Sequence, residues 1–210
     1  MVDGEALPAW IEDWLPADDA LAAARSRAAE VGVGCVDAAT GGLLRLLAAT
    51  AGARAVVELG TGAGVSALWM LQGMRPDGVL TTVDTETEHQ RLARQSLAEA
   101  GYGGGRVRLI AGRALEVLPR LSDAAYDLVF CDAARSENGD YLAAALRLLR
   151  PGGLVVFAGA LADGRVADPG ARDADTVAAR DTARLVLDEP RLLPALLPLG
   201  PGLLAGVLTS

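Results

Sequence analysis

Aromatic residues are scarce: they make up 4% of a chain in which half the residues are apolar. The core must therefore be built largely from Leu, Val and Ala. Basic residues are outnumbered, 19 against 27 acidic ones, and the formal charge of −8 argues against broad binding to the phosphate backbone of nucleic acid. Only two cysteines occur, Cys35 and Cys131, and they form no C-x-x-C or zinc-like spacing. They read as buried thiols in a reducing compartment. No run of eighteen apolar residues is present, so no membrane span is expected. The first residues carry Asp3, Glu5, Glu12 and Asp13 instead of the basic and apolar regions of a secretory signal. These absences predict a soluble, cytoplasmic protein with no nucleic-acid or membrane partner.

What is present is a chain of 210 residues, most simply one domain. Residues 1–17, with Trp10, Ile11, Trp14 and Leu15 among acids and prolines, read as an N-terminal arm that packs on the domain or on a partner subunit, with disorder the competing reading. Residues 18–210 form the domain, with N-terminal helices in 18–52 and an α/β core in 53–210. The spacing of Leu21, Ala24, Ala28 and Val31 predicts a first helix over 18–31. Leu43, Leu44, Leu46 and Leu47 give the apolar side of a second, over 38–50. Strands are predicted at 54–59, 79–84, 106–111, 125–131 and 153–158, with helices at 63–74, 87–101, 113–121, 138–149 and 171–188. Such alternation argues for a doubly wound parallel sheet covered on both faces. Leu192–Leu199 and Leu203–Leu208 flank Gly200-Pro201-Gly202 and read as a hairpin. The sheet is thus seven-stranded, with its last strand antiparallel.

The most informative segment is Val56-Val57-Glu58-Leu59-Gly60-Thr61-Gly62-Ala63-Gly64-Val65-Ser66. It reads as a strand running into a glycine turn and a helix, where such sheets hold nucleotide-like cofactors. The spacing is G-x-G-x-G, not the G-x-G-x-x-G of a pyrophosphate site. Glu58 would repel a phosphate, whereas it could pair with the ammonium of an amino-acid cofactor. Glycines that serve packing alone are the competing explanation. Asp84 ends the second strand, placed to accept hydrogen bonds from ribose hydroxyls or to cap the following helix. Ala111-Gly112-Arg113-Ala114 is a small-residue turn on which a flat base could lie. Asp132 ends the fourth strand as a candidate base, metal ligand, hydrogen-bond acceptor or turn cap, with Arg135 three residues on to neutralise it.

Taken in order, these segments resemble the class I S-adenosylmethionine-dependent O-methyltransferases, more narrowly the catechol and caffeoyl-CoA type with its bacterial members. The similarity runs from about Asp18 to Val207. It includes Val57-Glu58-Leu59-Gly60-Thr61-Gly62, Gly78–Asp84 with Glu88-His89, Ala114–Pro119, Tyr126–Phe130 and Leu149-Arg150-Pro151-Gly152-Gly153. The resemblance implies a Rossmann-like fold, S-adenosylmethionine as cofactor, a small-molecule acceptor and a homodimer. It implies that Glu58 and the backbone near Gly60 and Thr61 hold the methionine part, with Ser66 nearby, and that Val36 touches the cofactor. It further implies that Asp84 binds the ribose, that Ala114 lies near the adenine, and that Asp132 stands beside the methyl-transfer centre.

The similarity fails at one place. Metal-dependent relatives join the Asp132 position to an adjacent Asp-Asn pair at the end of the fifth strand, but here Ala158 and Gly159 stand there. No metal ligand set is therefore assigned, and Mg²⁺ is not expected; Asp163 or Asp168 would be the only nearby substitutes. Arg135 replaces a lysine that acts as base in some relatives, and Arg stays protonated. Arg135 remains a catalytic candidate with Asp132, as an anion binder or phenolate stabiliser. His89 reads as structural or at the cofactor's edge. Two functions follow: O-methylation of a small acceptor without the catechol-type metal, or a cofactor-binding regulatory protein that has lost turnover.

Overall fold

The computed structural model describes residues 6–209. The first five residues of the expected arm lie outside the described residues. The rest of the arm is a helix, α1 (Ala6–Trp14), followed by α2 (Asp19–Glu30) and α3 (Ala38–Thr50). Asp18 caps α2 through the Leu21 amide at 2.8 Å, and Asp37 caps α3 through the Thr40 amide at 2.7 Å. α1 is anchored by Glu12, which accepts bonds from Arg25 at 2.6 Å and from the Ala38 amide at 2.8 Å.

Then come β1 (Ala55–Leu59), α4 (Val65–Gly73), β2 (Val79–Asp84), α5 (Thr87–Glu99), β3 (Val107–Ala111) and the short α6 (Ala114–Val117). The chain continues through β4 (Tyr126–Cys131), α7 (Asn138–Leu148), β5 (Leu149–Ala158), α8 (Ala174–Asp188), β6 (Leu192–Leu197) and β7 (Leu203–Leu208). The seven strands lie in the order β3-β2-β1-β4-β5-β7-β6, and β7 runs antiparallel to both its neighbours. This is the expected Rossmann-like, mostly parallel sheet with an antiparallel last strand.

Three sequence expectations need correction. Cys35, read as a buried thiol, is exposed, whereas Cys131 is buried. The helix expected over 113–121 is only four residues of α6, tightened into a 3₁₀ turn at Leu118–Arg120. Pro119 has no amide to continue the α-helical ladder. The fifth strand, expected over 153–158, begins at Leu149, so Arg150-Pro151-Gly152-Gly153 lies inside β5. The pairing jumps from Tyr126–Leu149 to Leu128–Leu154, so these residues form a bulge.

The pleat sends alternate side chains to opposite faces. Val56, Leu80, Leu128, Phe130 and Val156 meet α2–α5 on one face. Val57, Leu59, Val83, Val129, Val155 and Phe157 meet α7 and α8 on the other. α3 and α4 approach closely because residue 41 is glycine: a Cβ there would lie 2.2 Å from the Trp69 indole nitrogen. The parallel part of the sheet is pinned at its base by Asp127, which accepts the Arg54 and Ala55 amides at 2.6 and 2.8 Å and pairs with Arg150.

Burial pushes the Asp127 carboxyl up, but those hydrogen bonds and the Arg150 charge outweigh it and hold the group below the usual aspartate range. Asp127→Ala should therefore cost about 2–3 kcal/mol at neutral pH, the scale of lost hydrogen bonds to a charged group. A depressed native pKa gives stability that is present above the unfolded pKa and disappears as pH falls through the native one. The gap between wild type and variant in denaturant titrations should accordingly narrow in acid.

Candidate functional site

Between β1 and β4 the strand order reverses direction, and the C-terminal ends of these strands bound a crevice. Gly60 follows β1 with φ +93°, and a Cβ there would lie 2.0 Å from the Asp132 carbonyl oxygen. Only glycine permits this approach. The Asp132 amide donates to the Leu59 carbonyl at 2.8 Å, which fixes the two strand ends together. Gly62 and Gly64 continue the turn at positive φ and deliver the chain into α4.

Two clefts open from this point. The larger, about 430 Å³, is lined by Val36, Asp37, Thr40, Gly60, Thr61, Ser66, Asp84, His89, Asp132, Ala158 and Gly159, and by the turn between β6 and β7. The smaller, about 330 Å³, runs past Asp84, Glu86, Gly112, Ala114, Asp132 and Tyr141. Gly60, Asp84, His89 and Asp132 belong to both. Of the sequence-predicted residues, the structure brings Val36, Gly60, Thr61, Ser66, Asp84 and Asp132 to the first cleft, and Ala114 with Asp84 and Asp132 to the second.

Glu58 is placed differently from its expected contact with a ligand. It is fully buried and lines neither cleft. The pleat aims it at the α4 face, in register with Thr82 on β2. Its oxygens accept from the Ser66 hydroxyl at 2.5 Å and the Thr82 hydroxyl at 2.6 Å. Thr61 and Thr82 hydroxyls lie 2.7 Å apart, and Gln90 donates to Thr61 at 3.1 Å. Either hydroxyl can donate to the other. This ordered chain lies beneath the glycine turn. Burial raises the Glu58 pKa to about 8; the hydroxyl hydrogen bonds oppose the rise, and Asp132 and Asp84 reinforce it.

Asp84 accepts the Gly62 amide at 3.0 Å and the Glu86 amide at 2.9 Å, and His89 Nδ1 lies 3.3 Å from both its oxygens. It is not the cap of α5, whose N-cap is Glu86. Asp132 is raised by burial and pulled back by the Arg135 charge, with burial the larger effect. Arg135 lines neither cleft. It pairs with Asp175 at 3.1 Å and lays its guanidinium on Gly159, where a Cβ would meet Nη2 at 2.4 Å.

The donor set does not fit the octahedral oxygen shell that Mg²⁺ requires. Ala158 and Gly159 share the larger cleft with Asp132 but carry no side-chain oxygen, and Asp163 and Asp168 line neither cleft. Among the described residues, no group of three or more His, Cys, Asp or Glu side chains could hold a metal ion.

The family model described as O-methyltransferase matches residues 22–207. The chain belongs to the O-methyltransferase family. A Mycobacterium tuberculosis protein named a probable O-methyltransferase is 57% identical over 204 residues, covering 97% of this chain and 91% of the relative. The O-methyltransferase TomG from Streptomyces achromogenes, solved in complex with SAM, is 30% identical with a TM-score of 0.91, covering all of both chains. The O-methyltransferase from Bacillus cereus, solved with SAH, is 28% identical with a TM-score of 0.87, covering 96% of this chain and 97% of that one.

For this O-methyltransferase, sequence reasoning missed Asp37, Thr40, Thr82, Gln90 and the Leu199–Leu203 turn as parts of the site or its support. Asp37 was legible as a helix cap, in an Asp-x-x-Thr pattern that repeats at Asp173. The others come from remote segments. The sequence contains no lysine, so every basic side chain besides His89 is an arginine and a lysine general base is excluded.

The raised Glu58 pKa has a definite sign. Below the unfolded value of 4.5 both states are protonated; between 4.5 and about 8 the unfolded chain ionises while the native carboxyl does not. Wild-type stability should therefore fall across that window relative to Glu58→Gln, and the two curves should run parallel above it. Thermal melts of the ligand-free proteins from pH 4 to 9 read this directly.

Proposed function

We propose that the protein transfers a methyl group from S-adenosylmethionine to an oxygen of a small hydroxylated acceptor, without the divalent metal of catechol-type enzymes. The observation that carries this reading is the meeting of two clefts at Gly60, Asp84, His89 and Asp132, in a chain of the O-methyltransferase family. S-adenosylmethionine supplies an electrophilic methyl: the acceptor oxygen forms the new O–C bond, the S–C bond breaks, and its electron pair stays on sulfur.

The remaining work falls to the chain. Val36, Gly60, Thr61 and Ser66 hold the methionine part, with Glu58 acting behind them by fixing Ser66 and Thr82. Asp84 has lone pairs left for ribose hydroxyls beyond its backbone bonds. Ala114 and the bare backbone of Gly112 accommodate the adenine in the smaller cleft. Asp132, whose burial makes it a stronger base than an exposed aspartate, takes the acceptor proton. Arg135 provides a fixed positive charge behind Gly159, which favours an acceptor oxygen in its anionic form. In-line positioning is the main demand of such a reaction.

We read residues 18–210 as one methyltransferase domain and residues 1–17 as an appendage to it. A cytoplasmic homodimer is the assembly we favour. The exposed Leu7, Trp10 and Trp14 of α1 and Leu46 of α3 support pairing through that side. Among the described residues no helix is long and apolar enough to cross a membrane.

Calorimetry should show saturable binding of S-adenosylmethionine and of its demethylated product; absence of both overturns the proposal. In a panel of phenolic acceptors, turnover should be equal with Mg²⁺ and with chelator. Asp132→Ala should lower kcat by about 100-fold or more, the scale of losing a positioned base, and Arg135→Ala by about tenfold. Cofactor binding with no methylation of any acceptor would instead favour a regulatory binding protein. Sedimentation analysis of wild type and Trp10→Glu tests the dimer, which the charge should disrupt.

A further inference from the structure

One polar pair in the larger cleft has no part in the roles above. Asp37 caps α3 with Oδ1 alone, accepting the Thr40 amide at 2.7 Å. The equivalent cap on α8 is closed: Asp173 accepts both the Thr176 amide at 3.0 Å and the Thr176 hydroxyl at 2.8 Å. On α3 the second bond is not made. Thr40 is 4% exposed, and its Oγ1 has no hydrogen-bond partner. Leaving such a buried hydroxyl unsatisfied is costly, which marks the position as one awaiting a partner.

Both open oxygens face the turn that closes the cleft. A Cβ on Gly200 would lie 3.1 Å from Asp37 Oδ2 and 3.3 Å from Thr40 Oγ1. Any side chain at position 200 would crowd this pair, and its φ of +51° favours glycine as well. Asp37 and Thr40 line the cleft together with Pro201 and Gly202 of the same turn.

The charge around the pair has one sign. Asp37, Asp84 and Asp132 line the cleft, and His89 is the sole basic side chain among the described lining residues. His89 is engaged with Asp84, and Arg135 with Asp175. Asp84 accepts two backbone amides, one on each oxygen. Asp37 is exposed and its Oδ2 makes no hydrogen bond within the protein, beside a buried hydroxyl that also makes none, in a cleft whose lining carboxylates outnumber its basic side chain.

We propose that Asp37 and Thr40 form the subsite for a protonated amine on the methyl acceptor, so that the preferred acceptors are hydroxylated amines rather than hydroxylated acids. This rests on the larger cleft being the methyl-transfer site. An ammonium has three donors, enough to engage both oxygens at once. An acidic tail in the same place would meet a carboxylate with no cation to offset it.

The test uses the full chain loaded with S-adenosylhomocysteine, and two phenols of matched ring and opposite tail charge, tyramine and 4-hydroxyphenylacetate. Calorimetry should find tyramine tighter by about tenfold or more, the scale of one charge-assisted hydrogen bond. Asp37→Asn keeps a good helix cap, and with Thr40→Val it should erase most of that preference while leaving S-adenosylhomocysteine affinity unchanged. Equal or tighter binding of the acid, absence of tyramine binding, or a preference that survives Asp37→Asn overturns the subsite. If Asp37→Asn instead weakens S-adenosylmethionine and leaves tyramine unchanged, the pair holds the cofactor's ammonium and the acceptor proposal fails. Wild type that does not bind S-adenosylhomocysteine overturns the methyltransferase reading and the subsite with it. Retained cofactor binding without amine preference overturns the subsite alone.

Discussion

The close approach of the Gly60 backbone to the Asp132 carbonyl is the constraint on which the site depends. It brings the ends of β1 and β4 together where the strand order turns back, so that one cleft opens on each side of a single point. With a side chain at residue 60, the strand ends would have to separate and the residues shared by both clefts would part. The sheet supplies the rigidity that holds this contact. Its central strands β1, β2 and β4 are buried on both faces, and Asp127 ties the start of β1 to β4 and β5 at the opposite end.

Beneath that contact lies a buried acid with hydroxyl partners instead of a basic one. A carboxylate in such a place costs free energy unless it is protonated or finds a positive charge. Glu58 thus gives the empty protein a proton-carrying group directly below a cleft suited to a cationic ligand. The Ser66 hydroxyl connects the two, since it belongs to the cleft wall and donates to Glu58.

The far wall of the cleft shows a different exchange. Where metal-dependent relatives carry oxygen donors, this chain has Ala158 and Gly159, and the bare flank of Gly159 admits the Arg135 guanidinium. The cation is covalently part of the protein and held by Asp175. The wall thus offers a fixed charge behind Gly159 in place of side-chain oxygens. The Asp37–Thr40 pair lies at α3, beside the hairpin turn, where it complements an acceptor with an amine at a second point.

The periodicity of the sequence by itself determined the layered fold. Val56 and Val57, or Phe130 and Cys131, go to opposite faces because strand geometry alone decides it, and the Gly200-Pro201-Gly202 turn makes the last pair antiparallel. The glycine spacing and Asp84 likewise point to the cofactor, because their roles follow from local backbone geometry. What the tertiary structure decided depends on partners remote in the chain. Glu58 lines neither cleft because Ser66 and Thr82 meet it across the pleat. Arg135 stands behind the cleft because Gly159 and Asp175 receive it. Thr40 gains its significance from Gly200, 160 positions later. Pattern in one strand or helix fixes which face a side chain takes; only packing between distant segments fixes what it meets there.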